Sequence, residues 1–196
     1  MAHNNLTQLC IRRLQKEYKD LVKSPIQNLK IYISSENLLD WYFCIYNLDD
    51  IRYKEGEYYG LVRMDPDYPY KPPIYYMYTP NGRFVTGQKI CTTNSNFHPD
   101  EWKPTWSMGA IFRGFLSLFL EDNTTSPVGF NHLRTTKEEK HRLARQSKEY
   151  NREYNSALLE CFASGESVID SQTPEPIKIK LKKKPITQEL SSPISN

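Results

Sequence analysis

Apolar residues recur at helical spacing near the start of the chain. Ile11, Leu14, Tyr18 and Leu21 share one face of residues 7–23, with Arg12, Arg13, Lys16 and Lys19 among them; this predicts an amphipathic helix. Pro25 ends it, because the residue before a proline is pushed out of the α region. The period then changes to two. Residues 29–33 predict a strand, and in 39–46 Trp41, Phe43 and Ile45 alternate with Tyr42, Cys44 and Tyr46. Residues 57–64 and 74–78, rich in Tyr and β-branched side chains, predict two more strands. After Tyr78 the pattern breaks for about thirty residues, longer than most connections inside a compact domain and usual for functional loops. An apolar helix over 107–120 follows, then a polar loop over 121–136. A long helix comes next, its predicted stripe formed by Leu143, Ser147, Tyr150, Tyr154, Ala157 or Leu158, and Cys161. The expected architecture is α+β: a four-stranded antiparallel meander packed with an N-terminal helix, a central helix and C-terminal helices.

No Phe, Tyr or Trp occurs after Phe162, while Pro recurs at 174, 176, 185 and 193. The expected organisation is a folded core over 1–162 and a disordered tail over 163–196. The chain has 196 residues, which suits one domain plus a tail. Its net charge of +3 is too small for an electrostatic nucleic-acid footprint. The lysine-rich run from Lys178 to Lys184 reads as a solvated linker, so no nucleic-acid partner is expected. The start of the chain is polar, unlike a signal peptide, and Arg113 interrupts the best apolar run. The 4 Cys lie far apart without a CxxC pair, which disfavours a metal site or a disulfide framework.

Candidate chemistry gathers at Cys91. Cys44 and Cys161 fall in apolar patterns and read as small core residues, as does Cys10. Cys91 instead sits in a polar loop, after the turn-forming pair Asn81-Gly82 and before Trp102, Pro104 and Trp106. Reactive thiols need such partial exposure. His98 is near in sequence, but no local signature marks a Cys-His pair. A thiol with no dedicated base suits acceptance of an acyl group from another thioester, a nearly isoenergetic exchange. Passing that group on to an amine builds negative charge on the thioester oxygen, where an amide donor such as Asn81 would help.

Several motifs then converge on one family. Tyr68-Pro69-Tyr70-Lys71-Pro72-Pro73 and Arg13-Leu14-Gln15-Lys16-Glu17 resemble those of ubiquitin-conjugating enzymes. Thr79-Pro80-Asn81-Gly82-Arg83-Phe84, Lys89-Ile90-Cys91, the run from His98 to Ser107, and Leu143-Ala144-Arg145-Gln146-Ser147 resemble the tail-anchored J class of endoplasmic-reticulum quality control. The resemblance covers about residues 6–155 and implies the ubiquitin-conjugating fold.

By that resemblance, Cys91 takes the ubiquitin carboxyl group as a thioester from the activating enzyme. It then yields it to a substrate lysine, or in this class a hydroxyl, beside a ligase of RING type. Thr79-Pro80-Asn81 stands where most relatives have His-Pro-Asn, and Asn81 braces the loop or stabilises the oxyanion. Ser126 stands where many relatives gate the acceptor with an Asp, and Glu121 and Asp122 are alternatives. Arg12, Arg13, Lys16, Met64, Pro104 and Thr105 match partner-contact positions, with Met64 expected to be exposed. Trp102 and Trp106 read as packing residues. No cofactor or metal is implied, since the activating enzyme consumes the ATP. Relatives end in a hydrophobic anchor, whereas this chain stops at Ser-Asn. The expected location is therefore the cytoplasm, or the cytosolic face of the endoplasmic reticulum if an anchor was removed. The competing reading is a non-catalytic scaffold of the same fold that binds ubiquitin or a ligase.

Overall fold

The computed structural model describes residues 8–121, 129–164 and 168–172. The first helix, α1 (Gln8–Lys23), buries Cys10, Leu14, Glu17 and Leu21 along one stripe. Four strands follow as an antiparallel meander: β1 (Leu29–Ile33), β2 (Asp40–Tyr46), β3 (Glu57–Arg63) and β4 (Ile74–Met77). Phe43 pairs with Gly60 across β2 and β3. A Cβ at Gly60 would lie 2.3 Å from the Phe43 ring and 2.5 Å from the Tyr76 carbonyl oxygen. Glycine there lets the Phe43 ring lie flat over the neighbouring strand.

Helix α2 (Met108–Leu120) crosses this sheet and forms the centre of the core. The Ser107 side chain caps it by accepting from the Ala110 N–H. Phe115 meets Phe43, Tyr75 and Phe84, while Phe119 meets Tyr53 and Tyr58. These ring contacts tie the loop after β4 to the same helix that supports the sheet.

Two parts of the C-terminal region depart from the sequence reading. Helix α3 (Lys137–Tyr154) buries Lys140, Ala144, Ser147 and Asn151, and Tyr154 is 63% exposed. The docking face is hydrogen-bonded where an apolar stripe was expected. Ser147 accepts from the Glu57 N–H at 3.0 Å, and the Asn151 amide donates to the Glu57 carbonyl at 2.8 Å. Apolar periodicity does not reveal a face that docks by satisfying a strand's backbone groups. The chain then breaks at Asn155 and continues as α4 (Ser156–Ala163), whose Phe162 packs on Tyr32 and Tyr59. Both faces of the sheet are thereby covered in part.

The second departure is a fifth strand, β5 (Val168–Asp170), inside the segment expected to be disordered. It pairs antiparallel with β1, giving the order β4-β3-β2-β1-β5. Ile169 is buried and Asp170 accepts from the Tyr46 hydroxyl at 2.7 Å. Three residues, with Val168 half-buried and Ile169 buried, are enough to extend an edge, and the polar composition around them masks the signal. Lys178 to Lys184 lie outside the described residues.

One buried charge fastens the helices together. Glu17 pairs with Arg13 at 2.5 Å and accepts from the Met108 N–H at 2.9 Å, at the start of α2. Arg13 also donates to the carbonyls of Pro104 and Trp106, both at 2.9 Å. Truncating Glu17 leaves a guanidinium N–H and a helix N-terminal N–H without their acceptor. Glu17→Ala is expected to cost about 1–3 kcal/mol in urea denaturation, and a stability equal to wild type would refute this role.

Candidate active site

The loop after β4 is built on a buried turn. Thr79 is fully buried; its hydroxyl accepts from the Tyr59 N–H at 2.9 Å and donates to the Asn151 side chain at 2.6 Å. Asn81 is 1% exposed. Its carbonyl oxygen accepts from the Arg83 and Phe84 N–H groups, both at 2.8 Å, and its amide donates to the Thr79 carbonyl at 2.8 Å. These contacts make Asn81 a brace of the turn. Gly82 has φ of +71°, and a Cβ there would lie 2.6 Å from the Thr135 hydroxyl, so glycine fits both the conformation and the space.

Arg83 follows, 2% exposed beneath the loop. It donates to the Leu118 carbonyl at 3.1 Å and pairs with Glu121 at 3.3 Å. Its third contact is His132 Nδ1 at 3.4 Å. The other ring nitrogen of His132 lies 2.8 Å from the carbonyl oxygen of Cys91. A carbonyl only accepts, so Nε2 carries the proton and Nδ1 faces Arg83 as an acceptor. A chain of polar contacts therefore runs from the Asn81 turn to the backbone of Cys91.

Cys91 itself is partly exposed. Ile90 before it is buried and bonded to the Tyr75 carbonyl at 3.0 Å, and the Cys91 N–H reaches the Phe130 carbonyl at 3.3 Å. The next residues form a tight turn. The buried Ser95 hydroxyl accepts from the Thr92 N–H at 3.0 Å and donates to the Thr92 carbonyl at 2.7 Å. The His98 N–H bonds the Ser95 carbonyl at 3.0 Å, which turns the chain back on itself. The outcome is a pair that the sequence reading did not expect: His98 Nε2 lies 3.1 Å from Cys91 Sγ. The Glu101 carboxylate lies 3.7 Å from His98 Nδ1. The Phe97 and Phe130 rings meet at a tilt, with centroids 5.6 Å apart, and remain exposed.

The other thiols are differently placed. Cys44 is buried, and burial pushes its pKa up to about 12; burial also raises that of Cys10. Both are held as neutral thiols, poor nucleophiles near neutral pH. Cys161 is partly buried on α4.

The remaining expected site residues divide. Ser126 and Asp122 lie outside the described residues. Glu121 is engaged by Arg83. Arg12 is exposed, Lys16 is exposed and paired with Asp20 at 2.7 Å, and Pro104 and Thr105 are exposed. Arg13 is largely committed to Glu17 and the carbonyls of Pro104 and Trp106, so it shapes the Pro104–Thr105 loop from beneath. The expectation for Met64 is corrected: it is 1% exposed and belongs to the core. Its N–H bonds the Leu39 carbonyl at 2.9 Å, extending the β2–β3 pairing. The exposed apolar side chain of that loop is Tyr70, at 68%. Alternation could not have found it, because residues two apart share a face in an extended segment, yet here Tyr68 is buried and Tyr70 points outward from the turn. Trp102 is buried and donates to the Pro69 carbonyl at 2.7 Å, as a packing residue does.

His132 carries a pH dependence with a definite sign. Burial chiefly lowers its pKa below 6.5, with Arg83 acting in the same direction. Its share of stability is thus complete above the unfolded value and is lost as pH falls through the lowered folded value. Urea midpoints of wild type should decline over that acid window relative to His132→Gln, which does not titrate. Parallel pH curves for the two proteins would contradict this.

The comparisons with known proteins agree with this geometry. The family described as "Ubiquitin-conjugating enzyme" matches residues 13–151. A "Probable ubiquitin-conjugating enzyme E2 33" of Arabidopsis thaliana is 43% identical over 142 residues, covering 72% of this chain and 57% of the relative. A "Ubiquitin-conjugating enzyme E2 J2-like" of Dictyostelium discoideum is 37% identical over 156 residues, covering 80% of this chain and 89% of the relative. The chain thus spans little more than half of the Arabidopsis relative and nearly all of the Dictyostelium one. Among solved structures, a ubiquitin-conjugating enzyme from Plasmodium falciparum superposes with a TM-score of 0.50 at 23% identity, over 57% of this chain and 98% of its own. That likeness shows the fold. The family match and the extent of these alignments place the chain in the ubiquitin-conjugating enzyme family.

Proposed function

We propose that this protein is a ubiquitin-conjugating enzyme of the J class that carries ubiquitin as a thioester on Cys91. The observation that carries the reading is the placement of Cys91: a partly exposed thiol on a braced loop, inside the span that matches the family. In the charging step, Sγ attacks the carbonyl carbon of the ubiquitin thioester on the activating enzyme. A new C–S bond forms, the enzyme's own C–S bond breaks, and its sulfur leaves as thiolate. One thioester replaces another, so the loop's task is presentation and exclusion of competing nucleophiles.

In the second step a substrate amine or hydroxyl attacks the same carbonyl, and Cys91 Sγ departs. A ligase of RING type brings the substrate in this reading. Arg12, Lys16, Tyr70, Pro104 and Thr105 are exposed on α1 and the two adjacent loops, a surface available to the activating enzyme and the ligase. The J-class assignment is supported by the Thr79-Pro80-Asn81 sequence and by the printed name of the Dictyostelium relative. Work in protein quality control on the cytosolic side of the endoplasmic reticulum is part of the proposal and rests on that class. Among the described residues no helix is long and apolar enough to cross a membrane.

The test is charging. Wild type incubated with activating enzyme, ATP and ubiquitin should give an adduct on non-reducing gels that is lost on reduction. Cys91→Ala should give none, and Cys91→Ser should give an adduct that resists reduction. No adduct with wild type, beside a control conjugating enzyme that charges, would overturn the reading.

A further inference from the structure

Transfer from a thioester to a new acceptor leaves one proton to be placed. An alcohol attacks poorly while it keeps its proton, and an amine must shed one once the C–N bond has formed. The site therefore needs a base within hydrogen-bond reach of the incoming atom. Asn81 cannot accept that proton, and its carboxamide is committed to three backbone groups. Glu121 is held by Arg83. His132 already uses Nε2 on the Cys91 carbonyl and turns Nδ1 toward Arg83.

His98 is placed differently. Its Nε2 lies 3.1 Å from Cys91 Sγ, and its side chain is 42% exposed on the open side of the loop. An acceptor that reaches the carbonyl carbon on Sγ must come close to this ring. The Glu101 carboxylate, 3.7 Å from Nδ1, favours the proton on Nδ1, which leaves Nε2 free to accept. When the imidazolium forms, this carboxylate lies within ion-pair distance of Nδ1. The ring's position is set by the buried Ser95 turn and by Pro99, which begins the short helical turn carrying Asp100 and Glu101. The groups recorded against the His98 ring are thus a thiol on one side and a carboxylate on the other.

Resting on the thioester function proposed above, we infer that His98 is the general base of ubiquitin discharge, oriented by Glu101. The hydroxyl or amine of the acceptor attacks the thioester carbonyl and its proton passes to His98 Nε2. A C–O or C–N bond forms and the C–S bond breaks. The departing Cys91 thiolate then takes the proton from the imidazolium, so that thiol and neutral imidazole are both restored. No other reactant is needed. The reliance on His98 is graded by the acidity of the attacking group. Free thiols are already a few per cent ionised at pH 7, so charging needs the base least. Amines near pKa 10.4 need it more, and a hydroxyl, which stays protonated until attack, needs it most.

The experiment is single-turnover discharge of the full chain, charged with ubiquitin and then quenched of activating enzyme. Free lysine and free threonine serve as acceptors, with the amino group of threonine blocked. Wild type, His98→Ala, His98→Gln and Glu101→Gln are compared. Charging should fall less than hydroxyl discharge in every variant, because a thiol sheds its proton more readily than an alcohol. Discharge to the threonine hydroxyl should fall on the order of 10²-fold in both His98 variants, with a smaller fall for lysine and an intermediate one in Glu101→Gln. The wild-type hydroxyl reaction should also show a solvent deuterium isotope effect that the His98 variants lose. Unchanged hydroxyl discharge in His98→Ala would overturn the inference, as would an equal loss in charging and in both discharges. Failure of wild type to charge at all would instead remove the thioester reading beneath it.

Discussion

The geometry around Cys91 depends on the hydrogen bonds of one buried carboxamide. Asn81 closes a turn in which three backbone groups meet its side chain, with almost no access to water. Such groups are costly to leave unpaired in a dry interior, which is why the turn is rigid and not merely preferred. The turn is anchored on both sides. Thr79 links it to β3 and to Asn151 of α3, while Arg83 leads from it to His132 and so to the carbonyl of Cys91. The thiol is exposed, yet its main chain is held from beneath.

The apolar core supports this polar frame. Phe84, the second residue bonded to Asn81, stacks on Phe115 of α2, the same ring that contacts Phe43 and Tyr75. The loop that carries the chemistry therefore packs directly on the helix that organises the sheet. At the other end of α2, Glu17 and Arg13 join its N-terminus to α1 and to the loop holding Pro104 and Trp106. The exposed surface formed by α1, Tyr70 and that loop is connected to the thiol through one well-packed helix. A loop fixed at its base and open at its edge suits a nucleophile that must meet large partners in succession.

Much of this was legible in the sequence because it obeys simple periods. The alternation in β2 and the apolar run over 107–120 marked main elements, and the polar setting of Cys91 separated it from the buried Cys44. What escaped was decided by hydrogen bonds between distant segments. The buried face of α3 contains Lys140, Ser147 and Asn151, which no hydropathy pattern selects. β5 adds two apolar side chains and a carboxylate to an edge. Met64 ends a predicted strand and its match to a partner-contact position implies exposure, but it continues the strand pairing into the core. The meeting of His98 with Cys91 arises from two consecutive turns organised by the Ser95 hydroxyl. Their residues are ordinary loop residues until the chain closes on itself.

The most direct measurement of the Asn81 frame is amide hydrogen exchange in wild type and Asn81→Ala. If the carboxamide holds the site together, the Arg83 and Phe84 amides lose protection in the variant. The Leu133 and Cys91 amides, bonded to the carbonyls of Arg83 and Phe130, should lose it with them while the β2 amides stay protected. Loss confined to Arg83 and Phe84, with Cys91 exchanging as in wild type, would contradict the claim and show that the thiol's loop is held independently.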